Sequence, residues 1–159
     1  MKKVICWIPT ILCMLLIFLF SNEPANVSDI TSGGVCETIL KIFYKGFNEL
    51  SLNEQSNLIE GIQFYVRKMA HFSIYATLGV CTSIAMIFQN LKLKNKLVVS
   101  LGMCLLYAIS DEIHQLFVEG RSCQFRDVCI DFCGSIVGTI IFYGIIKLIS
   151  MVKKSHSKE

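Results

Sequence analysis

Apolar residues are grouped along the chain in four long segments, and the stretches between them carry most of the charge. The segments cover residues 4–20, 69–89, 97–117 and 128–149. A helix needs roughly 20 residues to cross a hydrocarbon core of about 30 Å, and each segment is close to that length. None shows the sustained alternation of apolar and polar positions that is typical of a membrane-spanning strand. The pattern predicts an all-α membrane protein, a bundle of four transmembrane helices that forms a single domain over residues 1–159.

The first segment follows Lys2 and Lys3 and could also be a cleaved signal peptide. No small-residue cleavage pattern follows it, so we expect a retained membrane anchor. Residues 22–65 then form a soluble or interfacial segment between spans 1 and 2. Its apolar residues recur at helical spacing, which predicts an amphipathic helix that lies on the membrane surface or packs over the mouth of the bundle. These residues are Val35, Ile39, Ile42, Phe43, Phe47 and Leu50.

Composition supports the bilayer as the solvent of this chain. Of its 159 residues, 53% are hydrophobic and 17% are charged, whereas about a quarter are charged in an ordinary soluble domain. A chain of this size cannot bury so much apolar surface in its own core. We therefore exclude a disordered chain and expect no nucleic-acid partner. Six of the eight cysteines fall in apolar runs; Cys36 and Cys123 do not, and a disulfide between these two stays open, as does the oligomeric state.

Lysine residues indicate how the bundle is oriented. The two termini and the loop between spans 2 and 3 are short, and all lie on one side of a four-span bundle. They carry Lys2, Lys3, Lys92, Lys94, Lys96, Lys153, Lys154 and Lys158. Because short cytoplasmic segments are enriched in lysine and arginine, both termini are predicted to be cytoplasmic and segment 22–65 extracytoplasmic.

Ionisable side chains in or near a membrane span are costly, and by default they indicate function. In this chain they occur near those ends of spans 2, 3 and 4 that the predicted topology brings to the extracytoplasmic side. We predict one shared polar site there. It consists of Arg67, Lys68, His71, Tyr75, Asp111, Glu112, Gln115, Arg121, Asp127 and Asp131, with Ser21, Glu23 and Arg126 nearby.

Plain structural roles remain open for several of these residues. The ammonium of Lys68 could simply extend to the membrane interface. Asp127 could stabilise the first turn of its helix through the helix dipole. A lone His71 could be structural, although carboxylates on a neighbouring span favour a role in the site.

The adjacent acids Asp111 and Glu112 point about 100° apart on a helix and cannot both face one partner. We expect one of them to pair with Arg67 or Arg121 and the other to be free for chemistry. In a buried bundle, such charges are expected to be paired.

A metal ion is a further interpretation of the same residues. Asp111 with His114, or Glu112 with Gln115, has helical ligand spacing, and His71 could complete the set. The sequence has no HExxH motif or cysteine pair, and four nearby cations would oppose a divalent ion. We therefore expect no metal ion and no cofactor.

Small residues on span 4 predict close helix packing. Gly134 and Gly138 form a small-xxx-small pair, which allows the backbone of a neighbouring helix to approach. Gly79 and Gly102 are expected to act in the same way on spans 2 and 3.

The polar motifs resemble those of the VanZ-like membrane proteins. The matching residues are Val66–Phe72 with Tyr75 and Leu78-Gly79, then Tyr107–Phe117, Gly120-Arg121, Asp127, Ile130-Asp131 and Gly134. The likeness covers nearly the whole chain, including Phe20-Ser21 after span 1. Glu119 replaces a proline found in many members, and Cys123-Gln124 lie in a loop that often begins Ser-Gly. These differences alter the outer loop and leave the charged set intact.

The resemblance implies an integral membrane protein of a bacterial cell envelope. The namesake of the family is associated with low-level resistance to the lipoglycopeptide teicoplanin. No agreed reaction comes with the resemblance, and membership alone does not imply that this chain protects against an antibiotic.

Three functions follow from the residues and the resemblance together. The one that we favour is binding or modulation of an anionic lipid head group or lipid-linked cell-wall precursor. Its cations would be Arg67, Lys68 and Arg121. The second is an intramembrane enzyme that modifies such a molecule, with Glu112 or Asp111 as general base and His71 as its partner. The third is a structural or partner-binding bundle whose charges only lock the helices together.

Overall fold

The structure, a computed structural model, describes residues 2–156, and all of the regular secondary structure in that range is helical. The elements are α1 (Lys2–Ile5), α2 (Ile8–Ser21), α3 (Ala25–Phe43), a 3₁₀ turn (Phe47–Glu49), α4 (Leu52–Ile87), α5 (Leu93–Gln115) and α6 (Phe125–His156). Lys158, one of the lysines used to predict the orientation, lies outside the described residues.

Four helical segments are long and apolar enough to cross a membrane. They are Lys3–Ser21, which joins α1 and α2, and the three long helices α4, α5 and α6. The predicted all-α, four-span architecture is therefore confirmed. The apolar side chains that remain exposed on these helices are the surface that acyl chains would cover.

Helix α4 is much longer than the predicted second span, because it begins at Leu52 and not at Met69. A capping box fixes this start: the hydroxyl of Ser51 accepts the backbone N–H of Glu54, whose carboxylate accepts the backbone N–H of Ser51 at 2.9 Å. At 1.5 Å per residue, its 36 residues extend about 54 Å. The first part of α4 therefore extends beyond a hydrocarbon core of about 30 Å.

The prediction of one amphipathic helix that continues through Phe47 and Leu50 was wrong. Helix α3 ends at Phe43, and Gly46 then reverses the chain with a left-handed φ of 90°, which favours glycine. Only part of the predicted apolar face is covered, since Phe47 is buried whereas Ile42 and Phe43 are 69% and 81% exposed.

Helix α3 packs on the first half of α4, beside the polar end of the bundle. The side-chain amide of Gln63 on α4 donates to the carbonyl oxygen of Asp29 and to the hydroxyl of Ser32, at 2.7 Å in both cases. Segment 22–65 therefore contributes a helical hairpin that is joined to the second span.

Helices α4 and α6 form the most extensive helix pair of the bundle, and glycines allow their close approach. A Cβ atom added at any of three glycines would overlap a backbone carbonyl oxygen of the facing helix. The three pairs are Gly79 with Ser135, Gly134 with Phe72, and Gly138 with Ala76. The same role expected for Gly102 was wrong, because no atom lies within 4 Å of a Cβ added there.

The chain directions place the polar ends of the helices together. Helices α2 and α5 end, and α6 begins, at the level of the predicted cluster. Two hydrogen bonds show this: the hydroxyl of Ser21 donates to Asp111, and the backbone N–H of Gln124 donates to Glu112. At the opposite end, the side-chain amide of Gln89 reaches the carbonyl oxygen of Lys3.

Candidate functional site

The loop between α5 and α6 closes one end of the bundle. Gly120 has a left-handed φ of 74°, and a Cβ atom added there would crowd the side chain of Ala25. The backbone N–H of Ala25 donates to the carbonyl oxygen of Glu119 at 3.1 Å. The loop is thus joined to the first residue of α3, and together they form the rim of the site.

A cavity of about 190 Å³, called here the polar cavity, lies inside this rim. It is lined by Ala25, Phe64, Arg67, Lys68, His71, Glu112, Gln115, Gly120, Arg121, Ser122, Gln124, Arg126, Asp127, Ile130 and Asp131. Of the ten residues predicted for the site, only Tyr75 and Asp111 do not line the cavity. Both are buried in the bundle core.

Two of the cations at this end are engaged by carboxylates that the sequence did not assign to them. The ammonium of Lys68 lies 2.5 Å from Asp127, and Arg67 forms an ion pair with Asp29 of α3. The predicted pairing of Arg67 with Asp111 or Glu112 was wrong. Helix α3 brings a nearer acid, which no spacing in the sequence indicates.

Arg121 is bonded to backbone oxygens. Its guanidinium donates to the carbonyl oxygens of Glu23 at 3.1 Å and Phe20 at 3.2 Å, at the end of α2. A cation is favourable there, because the last carbonyl groups of a helix carry partial negative charge. Partial burial, and then the positive charge of Arg67, lowers the pKa of Arg121, but arginine stays charged in proteins. Its predicted pairing with Asp111 or Glu112 was wrong.

Three carboxylates lie in the bundle with 2–3% of their surface exposed, and no lysine or arginine of the described chain forms an ion pair with them. Asp111 accepts from the hydroxyl of Ser21 at 2.9 Å. Glu112 accepts from the backbone N–H of Gln124 at 2.8 Å. One carboxylate oxygen of Asp131 lies 3.8 Å from Nδ1 of His71.

His71, Asp111 and Asp131 form the most compact titratable group of the site. Each offers one ligand atom, and the three atoms lie within 4.8 Å of one another. One residue comes from each of α4, α5 and α6. Such a group can exchange protons or hold a metal ion.

The structure does not bring His114, which the sequence paired with Asp111 as a possible metal ligand, into this group. The ring of His114 stacks on Phe18 with 4.7 Å between centroids, and its Nε2 lies 3.3 Å from the side-chain oxygen of Asn22. His114 therefore faces α2 and is separate from the polar cavity.

The eight cysteines all lie within the described chain, where each is a free thiol. Cys36 is fully buried and Cys123 is exposed. Burial raises the pKa of Cys36. Desolvation, followed by the negative charge of Glu112, raises the pKa of Cys123.

A second cavity, of about 260 Å³ and called here the apolar cavity, lies between α2, α3 and α4. Its walls are formed by Ile17, Phe20, Glu23, Ser28, Thr31, Ser32, Val35, Val66, Arg67, Ala70, His71, Ile74 and Arg121. Three of these residues, Arg67, His71 and Arg121, also line the polar cavity. The two cavities thus meet at a shared wall of three nitrogen-bearing side chains.

Sequence reasoning missed Asp29, Gln63 and Gln124 as contributors to the site. Asp29 holds Arg67, Gln63 fastens α3 to α4, and the backbone of Gln124 binds Glu112. All three lie in segments that the hydropathy pattern leaves as connectors. No local signal distinguishes them, because their partners are distant in sequence.

The comparison with protein-family models places the chain in a family. The model described as VanZ/LLP1 matches residues 6–149, a range that includes the residues of both cavities, spans 2 and 3, and most of spans 1 and 4. No curated protein and no solved structure gave a significant match. On the extent of that one match, the chain is a member of the VanZ/LLP1 family of membrane proteins.

Proposed function

We propose that the protein binds a membrane amphiphile, with an anionic head group in the polar cavity and an acyl or isoprenoid chain in the apolar cavity. The observation that carries the proposal is the wall that the two cavities share. A lipid is the kind of molecule that needs both environments within one molecular length. A small polar solute would use only the polar cavity.

The charges at the shared wall favour an anionic head group. Arg67 and Arg121 present guanidinium groups, which bind phosphate and carboxylate through planar forks of N–H donors. Arg121 is bonded only to neutral carbonyl oxygens, so its positive charge has no carboxylate partner in the described chain. A phosphate oxygen at the wall would supply the missing negative charge.

The apolar cavity suits the chain of such a molecule. Ile17, Val35 and Ile74 contribute aliphatic surface to it from three different helices. The outer surface of α2 nearby is also apolar, with Leu16 and Phe20 at least half exposed. A chain entering from the bilayer would therefore remain in an apolar environment along its whole path.

We further propose that this site faces the outside of a bacterial cell membrane and that both termini are cytoplasmic. Lys92 lies in the loop between α4 and α5, and Lys94 and Lys96 lie in the first turn of α5. All three are at the end opposite the polar cavity. Lys3 lies at that same end, next to Gln89. The positive-inside rule assigns this end to the cytoplasm.

Lipid binding by the full-length protein in detergent tests the proposal. Native mass spectrometry compares phosphatidylglycerol with phosphatidylcholine of identical chains. We expect a preference for phosphatidylglycerol that Arg121→Gln reduces roughly tenfold, because a charge-assisted hydrogen bond contributes about 1.5–3 kcal/mol. Lys147→Gln, at the opposite end of α6, is the matched control and should bind as the unaltered protein does. Equal affinity for the two lipids in the unaltered protein would refute the proposal.

Lipid binding at this site, which we propose faces the outside of the cell, would also explain a role in teicoplanin resistance. Teicoplanin carries an acyl chain, so a protein that occupies or reorganises lipid at the outer leaflet would hinder its anchoring. Expression in a susceptible bacterium should then raise the inhibitory concentration of teicoplanin. Arg67→Ala, at an equal level of folded protein, should remove that increase. An unchanged phenotype in this variant would contradict the assignment.

A second candidate function, enzymatic modification of the bound lipid, is favoured by the proximity of His71, Asp111 and Asp131, two of which line the polar cavity. A histidine and two carboxylates within 4.8 Å are sufficient for general acid and base chemistry. Profiling lipids and cell-wall precursors in cells with and without the gene tests this function. A head-group change that Glu112→Gln or Asp111→Asn abolishes would support an enzyme, and unchanged lipids with altered teicoplanin binding would refute it.

A further inference from the structure

We propose that His71, Asp111 and Asp131 bind one divalent metal ion, Zn²⁺ or Mn²⁺, that links α4, α5 and α6. The inference goes beyond lipid binding and rests on the geometry of these three side chains and not on the proposed function. A ligand set of one imidazole and two carboxylates suits both ions. A site made by three helices would fix their relative positions.

The distances are close to those of a metal site. Ligand atoms bonded to Zn²⁺ at about 2.0–2.2 Å from the metal lie roughly 3–4 Å from one another. The three candidate atoms lie within 4.8 Å, and the His71 nitrogen is 3.8 Å from the Asp131 oxygen. Shortening the longest of these separations by about 1–2 Å would therefore complete the geometry, and side-chain rotation can supply a movement of that size.

Buried charge gives a second argument. Asp111 and Asp131 are 3% and 2% exposed, and neither has a lysine or arginine ion-pair partner in the described chain. Buried carboxylates are normally paired with a cation or coordinate a metal. A divalent ion would neutralise both of them at once.

Unsatisfied oxygens in the same place give a third and independent argument. The hydroxyl of Tyr75 is fully buried beside Asp111 and Asp131, but it makes no hydrogen bond of ordinary geometry within the described chain. The second carboxylate oxygen of Asp131 has none either. Buried polar atoms are nearly always satisfied in native proteins. An ion with its bound water would provide partners for both oxygens.

The cations of the polar cavity oppose metal binding less than their number in the sequence suggests, because two of them are paired with carboxylates. Lys68 is neutralised by Asp127 and Arg67 by Asp29. Arg121 is directed at the end of α2. His71 and Asp131 line the polar cavity, so an ion can reach them from the aqueous side.

Metal binding is measured on the full-length protein in detergent, without added lipid. After removal of metal with a chelator, Zn²⁺ and Mn²⁺ are titrated separately, and bound metal is quantified by mass spectrometry. We expect about one ion per chain for at least one of the two metals, and an affinity reduced at least about tenfold in Asp131→Asn and in His71→Gln. His114→Gln is the matched control, because it removes a histidine at the same end of the bundle but outside the group.

Absence of stoichiometric binding in the unaltered protein would overturn the proposal, whether or not any variant folds. Unaltered affinity in both Asp131→Asn and His71→Gln would also overturn it, as would an equal loss in His114→Gln. Arg121→Gln separates this proposal from lipid binding, because it should lose phosphatidylglycerol affinity and keep the metal.

Discussion

Helix packing at Gly138 provides a quantitative test of the α4–α6 pair that carries the site. A Cβ atom at this position would overlap the carbonyl oxygen of Ala76, and the next nearest atoms are also backbone atoms of that residue. Backbone within a helix cannot rotate away as a side chain can. Gly138→Ala therefore forces the two helices apart by more than about 1 Å, if ordinary contact distances are to be restored.

The cost of that separation follows from what overpacking does in well-packed cores. Inserting one methylene-sized group where no space exists typically costs about 1–3 kcal/mol, and here the atoms that the added Cβ meets all belong to the backbone of Ala76. We expect Gly138→Ala to lose about 2 kcal/mol of unfolding free energy, roughly a thirtyfold change in the folding equilibrium. The separation would also move His71 on α4 away from Asp131 on α6.

The assay is reversible unfolding in mixed dodecyl maltoside and SDS micelles, followed by circular dichroism. Gly144→Ala is the matched control, since it makes the same change on the same helix at a position with no atom within 4 Å of the added Cβ. We expect the control to be as stable as the unaltered protein or slightly more so, because alanine favours helix over glycine. Equal stability of Gly138→Ala and Gly144→Ala would refute the close α4–α6 packing.

The ion pair and the cysteines give two further predictions. Lys68→Asp and Asp127→Lys should each lose about 3 kcal/mol of stability in the same unfolding assay, since each leaves a half-buried charge without its partner, and the double exchange should recover at least half. Losses that simply add in the double variant would contradict a direct pair. In variants with a single cysteine, a membrane-impermeant maleimide should label Cys123 in intact cells and should label Cys36 only after unfolding. The thiolate is the form that reacts with maleimide, and an ordinary thiol has a pKa of about 8.5. Because the pKa of Cys123 is raised, its labelling rate should continue to increase with pH above that value. A plateau in the labelling rate below that pH would contradict the raised pKa of Cys123. Labelling only after cell lysis would contradict the extracytoplasmic placement of this loop.

Hydropathy was sufficient to predict the four spans, because the requirement for a lipid-facing surface is imposed on each helix separately. The same signal did not locate the start of α4. Its first turns, from Leu52 onward, mix polar and apolar positions, since they pack on α3 outside the predicted hydrocarbon layer. The capping box formed by Ser51 and Glu54 is the local signal that would have located this start.

The meeting of the polar side chains at one end could be predicted, because alternating chain direction places the end of one span beside the start of the next. Their individual partners could not. Arg67 pairs with Asp29 and Arg121 with the end of α2, and both pairings depend on how α3 and the loop between α5 and α6 fold back. Gly102 is a further case in which the sequence does not determine the contact. A small residue within a span suggests close helix packing, but no atom lies within 4 Å of a Cβ added there.

The apolar cavity could not be predicted at all. Its walls come from α2, α3 and α4, and their residues are ordinary membrane or connector residues when they are taken singly. Only the three-dimensional packing places them next to Arg67 and His71. The lipid proposal thus depends on an arrangement that no segment of the sequence encodes by itself.

A structure of the full-length protein in phosphatidylglycerol nanodiscs would show whether one lipid molecule occupies both cavities. We expect lipid density whose head group contacts Arg67 and Arg121 in the polar cavity and whose chain follows Ile17 and Val35 in the apolar cavity. Both cavities free of lipid density, with phosphatidylglycerol ordered only on the outer faces of the helices, would contradict the proposed lipid binding.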